Sequence, residues 1–193
     1  EFLSGVGWNV ELKNHHCYDG VLDRKTLSNG KSSIYYADES YEIMYHVGPL
    51  LKTDPKDEQQ IYKKRHIGND HIHIIWTEDD IDYDINTITS QFNCGHIVIY
   101  PLQTGLFRVD VFNKSDVEWF GPLRNSTVLT KKELPSLIRL TSINSMVRIS
   151  ESSTPLSVPP SRGLCQIHEI NNSMSENPNI HVIIHSSNKE END

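Results

Sequence analysis

The sequence predicts an α/β fold: a single domain with a central mixed sheet flanked by helices, followed by a disordered C-terminal tail. Three observations predict it. Short runs rich in β-branched and aromatic residues, at 41–47 (YEIMYHV), 71–76 (HIHIIW), 96–102 and 106–112, alternate with stretches of helix formers. The segment 134–149 carries apolar residues at three- and four-residue steps. After Ser150 the composition turns to Ser, Asn, Pro and Glu, which buries too little apolar surface to offset the entropy of ordering. The expected division is a domain over 1–150 and a low-complexity tail over 151–193.

The elements follow in order. Asp19-Gly20 and Asn29-Gly30 are turn signals ahead of the first strong strand, 41–47, which Gly48-Pro49 closes. Thr53-Asp54-Pro55 has the form of a helix start, and 56–66 (KDEQQIYKKRH) are helix formers with acids first and bases last. Gly68 is a natural helix stop. In the strand 71–76, His71 and His73 share one face and Ile72 and Ile74 the other. An acidic loop, 78–84, comes next, and Thr104-Gly105 joins the two following strands into a hairpin, the antiparallel part of the sheet. Trp119 and Phe120 belong to an aromatic loop read as core packing. The helix over 134–149 presents Leu134, Leu137, Ile138, Ile143, Met146, Val147 and Ile149, with Pro135 in its first turn. In the tail, 180–185 (IHVIIH) stands out as an orphan strand.

Composition narrows the function. At 193 residues and 22.1 kDa the chain suits one domain, and 36% hydrophobic residues leave part of it unpacked. A net charge of -8 repels phosphate backbones, so no nucleic-acid partner is expected. No apolar run is long enough for a membrane-spanning segment, and no secretory signal opens the chain. It starts at Glu1 without Met and is read as a fragment of a cytoplasmic protein. Cys17, Cys94 and Cys165 are odd in number and far apart, which points to reduced thiols. G-x-S-x-G, P-loop and G-x-G-x-x-G motifs are absent from the sequence, so no hydrolase or nucleotide site of its own is expected. His71-x-His73 and His15-His16 invite a metal, but no third ligand is evident, and 78–84 lacks the Gly and closing Glu of a calcium loop. No metal and no cofactor is expected.

One dense basic run stands in this acidic chain: Lys63-Lys64-Arg65-His66-Ile67-Gly68-Asn69-Asp70. With the strand after it, the acidic loop, and Gln91-Phe92-Asn93 before HIVIYPL, it resembles the Rap/Ral/tuberin family of GTPase-activating domains. Phe2-Leu3, Gly7-Trp8, Tyr35-Tyr36 and Glu42-Ile43 resemble the family's opening. Phe120-Gly121-Pro122-Leu123, Leu134-Pro135 with Leu137-Ile138-Arg139, and Ile143-Asn144 resemble its Ral branch, whereas the stretch around Gln91 is nearer the tuberin branch. The likeness covers roughly 2–150. It departs at Val21, where the family often has a second glycine after Gly20, and in the tail, which lacks the family's helical extension.

The resemblance implies an activator of a Ras-like small GTPase of Rheb, Ral or Rap type. The catalytic residue would be Asn69, an asparagine thumb inserted into the partner's site. Lys63, Lys64, Arg65, His66 and Asp70 would be GTPase-binding, with His66 supporting the thumb and Asp70 orienting the turn. GTP and Mg²⁺ would belong to the partner, and in the Ral and tuberin branches a second subunit is required. The chemistry suits the residue type. Phosphoryl transfer needs a positioned water and neutralised charge more than covalent help. A carboxamide offers an acceptor and a donor in one plane and no base at neutral pH. Ordinary readings stand beside this one. Asn after Gly is common in turns for conformational reasons, and bases at a helix end are commonly solvated. The rival functions are a catalytically silent GTPase- or scaffold-binding domain of the same fold and a metal hydrolase built on the histidines.

Overall fold

Period-two burial organises the sheet. In β3 (Glu42–Val47) the side chains of Ile43, Tyr45 and Val47 enter one apolar cluster while Met44 enters another. In β4 (Ile72–Thr77) Ile72 and Ile74 join the first cluster and Ile75 lies in a separate one. His73 therefore sits on the face opposite Ile72 and Ile74, as the alternation predicts. The structure, a computed structural model, describes residues 1–57, 59–79, 81–88, 90–113, 121–153 and 179–185; for 149–153 and 179–185 the description is of the backbone. Trp119 and Phe120 lie outside these residues, as does most of the tail.

The described elements are α1 (Phe2–Val6), β1 (Trp8–Glu11), β2 (Ser32–Ala37), β3, α2 (Ile61–Asn69), β4, β5 (Gly95–Pro101), β6 (Phe107–Asn113), β7 (Thr127–Leu129), α3 (Leu134–Ser153) and β8 (Asn179–His185). The strands form one sheet in the order β1-β2-β3-β8-β4-β5-β6-β7. It is mixed, with β8 parallel to both β3 and β4 and the remaining pairs antiparallel except β4 with β5. Since β3 and β4 run the same way, α2 serves as the crossover between them.

The predicted hairpin is β5–β6, with Pro101 opposite Phe107 and Gly105 at φ +79 in its turn. The segment at 180–185 is no orphan: as β8 it pairs on both sides, Val182 standing opposite Val47 and Ile74. α3 places Leu134, Ile138 and Ile143 against the cluster of Ile72, Ile74, Ile97 and Ile99. At roughly 25 cal/mol per Å² of apolar surface, this face is the main stabilising layer. Arg139 ties α3 to the first helix by donating from Nη1 to the Gly5 and Val6 carbonyls at 2.9 and 3.1 Å. Cys94 is in no disulfide and Cys17 is in one, so the expectation of reduced thiols fails at Cys17, and Cys165 lies outside the described residues. Among the described residues, no helix is long and apolar enough to cross a membrane.

Candidate functional site at the end of α2

α2 differs from the predicted helix in both boundaries. Asp54 accepts from the Lys56 amide at 2.9 Å and closes a turn, and Asp57 accepts from the Tyr62 amide at 3.1 Å across the true helix start. Gln60 takes a left-handed φ of 54, so the chain enters the helix at Ile61. These side-chain bonds compete with helix over 54–60 and outweigh its propensity. Gly68 does not stop the helix. It lies inside it, without positive φ, and Asn69 is the last helical residue.

No residue of α2 is buried. Its end is fastened through its carbonyls instead. The Ile67 carbonyl accepts from the Asp70 amide at 3.3 Å and from His73 Nε2 at 2.8 Å. The Gly68 carbonyl accepts from Ser90 Oγ at 2.5 Å. These partners satisfy groups that a helix end leaves open. Burial holds the His73 proton affinity below its ordinary value, with the Ile67 bond a smaller opposing effect, so a neutral ring donates from Nε2.

Beneath the helix end lies a polar constellation on the sheet face opposite α3. His46 of β3 donates from Nδ1 to Asp70 Oδ2 at 2.8 Å and from Nε2 to the Gly20 carbonyl at 2.7 Å. Carboxylate and carbonyl only accept, so both ring nitrogens carry protons and His46 is an imidazolium. Burial pushes its proton affinity down, but the Asp70 hydrogen bond and charge more than offset this, and the net shift is upward. Gly20 supplies the carbonyl, and it and Val21 occupy consecutive left-handed positions, φ 59 and 66. A Cβ on Gly20 would stand 2.8 Å from Met44 Cβ. Two positive φ values explain why glycines suit this turn. Val21 takes the second without that freedom, and is 75% exposed.

The expected site residues fall into three groups. Asn69, Lys64 and Arg65 are exposed, and Lys63 is half-buried. No ion pair among the described residues engages the three basic side chains. His66 is half-buried, with its ring 5.1 Å from that of His46. Asp70, expected to contact the GTPase and to orient the turn, has a relative exposure of 0%, and its carboxylate is engaged by His46 beneath the helix end. Sequence reasoning missed His46, Asn29 and Ser90. The one signal for His46 was a histidine facing away from Ile43, Tyr45 and Val47 in an otherwise apolar strand.

The α/β domain thus presents a polar helix end, held from below through its carbonyls and exposed above. Comparison with known proteins defines its class. The Rap/ran-GAP family model matches residues 1–161, and the chain belongs to that family. It is 40% identical over 155 residues to a probable Rho GTPase-activating protein of Drosophila melanogaster, a match covering 80% of this chain. It is 36% identical over 156 residues to the Ral GTPase-activating protein subunit alpha-1 of Homo sapiens, covering 81% of this chain. The chain spans 8% of the length of each of these relatives. The solved structure of the TSC2 GAP domain superposes with a TM-score of 0.71 at 30% identity, over 79% of this chain and 83% of that one.

Proposed function

We propose that this domain stimulates GTP hydrolysis by a Ras-family small GTPase of Rheb, Ral or Rap type, with Asn69 as the group it supplies. The observation that carries this is the exposure of Asn69 at the end of a helix with no fully buried residue. Family membership supports the partner class. The carboxamide oxygen holds the attacking water and its nitrogen faces the γ-phosphate, so the contribution is orientation and preorganised charge rather than proton abstraction. GTP and Mg²⁺ come with the partner, whose setting is cytoplasmic. Lys63, Lys64 and Arg65 steer it by charge, and His66 supports the thumb. Relatives named as subunits support a second chain in the working complex.

The test is single-turnover GTP hydrolysis across Rheb-, Ral- and Rap-type GTPases, with Asn69→Ala alongside. The variant is expected to lose stimulation by about 10²- to 10³-fold. Its melting temperature should be unchanged, since the side chain is exposed. Full stimulation by Asn69→Ala would end the thumb mechanism. Binding without stimulation by the unchanged domain would favour the silent reading.

A further inference from the structure

Asn29 lies in the loop before β2, 37 residues from His66 in sequence, yet its side-chain nitrogen is 2.8 Å from His66 Nε2. The orientation of its amide is decided by a second bond. Asn29 Oδ1 accepts from the Asp23 amide at 2.7 Å, so the oxygen faces the backbone and Nδ2 faces the histidine. An amide nitrogen only donates. His66 Nε2 is therefore the acceptor, and it carries no proton. The Asn29 backbone is fixed too, because its carbonyl accepts from the Lys52 amide at 2.8 Å.

We propose that Asn29 is a positioning residue for His66: it pins the imidazole in the neutral form with its proton on Nδ1, so that the ring offers an N–H donor one turn from Asn69. The reading of α2 as a GTPase-facing element underlies the functional half of this inference. The tautomer itself stands on geometry alone. His66 precedes Asn69 by three positions on the same helix, which places the two on neighbouring parts of one surface. The charged groups around the ring agree. Burial disfavours the imidazolium first, and the positive His46 and Arg65 oppose it further, while Asp70 acts the other way but is already paired with His46. A histidine side chain free in water prefers the opposite tautomer, with its proton on Nε2, so the assignment needs a partner that enforces it, and Asn29 is that partner.

Nitrogen-15 spectra of the histidine rings in the unchanged domain test the tautomer without any GTPase. His66 is expected to show a bare Nε2 and a protonated Nδ1. Asn29→Asp retains Oδ1 for the Asp23 amide but puts an acceptor where the donor was. In this variant the proton should move to Nε2, and His66 should take up its second proton at higher pH. Stimulated hydrolysis by Asn29→Asp should fall roughly five- to tenfold where His66 is neutral, the size expected for one lost hydrogen bond. It should recover as pH falls through the new pKa, because the imidazolium again has a proton on Nδ1. The unchanged domain should show no such inflection. A protonated Nε2 in the unchanged domain would overturn the proposal. So would an Asn29→Asp profile that follows the unchanged one although the proton has moved. A domain that stimulates no GTPase would defeat the proposed function, and the ring spectra would still decide the tautomer.

Discussion

α3 and α2 are both helices, yet they are held by opposite means. α3 buries Leu134, Ile138 and Ile143, with Thr141, Ser142 and Ser145 also buried along the same helix. α2 has no fully buried residue and no side-chain cap bond at Gln60. It is secured at one end, by His73 and Ser90 on its carbonyls and by Asn29 on His66. α3 is held by apolar area, which is non-directional and forgiving of small shifts. α2 is held by hydrogen bonds, which fix position and direction while leaving the outer surface free. The lesson is a division of labour: one helix stabilises the sheet, and the other uses the sheet as a base.

The sharpest way to break this comparison is at Asp70. Removing one partner of a buried charge pair costs about 3 to 5 kcal/mol. Asp70→Asn should therefore lower stability by about that amount in chemical denaturation, since Asp70 is fully buried. The pair also sets a pH dependence. The proton affinity of His46 in the folded state is raised above its ordinary 6.5. Its contribution is then fully present below 6.5 and is lost as pH rises through the higher folded value. Melting temperatures taken from about pH 6 to about pH 9 should show that loss in the unchanged domain and not in Asp70→Asn. A flat profile in both would mean that His46 is neutral.

On the other helix, Ile138→Ala should destabilise by about 2 to 5 kcal/mol, since Ile138 is fully buried among the sheet's isoleucines. Stimulation per folded molecule should survive, measured at a temperature where the variant is folded. If it fails, the two helices are not independent.

The smallest effect has the opposite sign. A Cβ on Gly68 would meet nothing within 4 Å, and Gly68 has no positive φ. Gly68→Ala should raise stability by about 0.5 to 1 kcal/mol, the ordinary gain for Gly to Ala inside a helix. If stimulated hydrolysis falls while the melting temperature rises, the bare backbone beside Asn69 is there to let a partner approach closely.

What could be read from the sequence follows the same division. β3, β4, β5 and β6 are legible because their apolar runs reflect burial on both faces, and α3 because one side of it meets the sheet. β1, β2 and β7 were missed. β1 and β7 are only four and three residues long, and β2 opens on two serines after a turn. The start of α2 was misplaced because Asp54 and Asp57 use their carboxylates to make turns that compete with helix. Asn69 was reached through resemblance, not pattern. His46, Asn29 and Ser90 were out of reach because their partners lie 22 to 37 residues away, and no period links them.

The carbonyl bonds at the end of α2 have one more consequence. The C-terminal pole of a helix carries about half a negative charge and repels anions. Here the Ile67 and Gly68 oxygens turn toward the donors of His73 and Ser90, so much of that negative field is absorbed inside the domain. Lys63, Lys64 and Arg65 stand on the same helix, and among the described residues no ion pair engages them. The pole that would ordinarily push a phosphate away is thereby muted, as the role proposed for Asn69 requires.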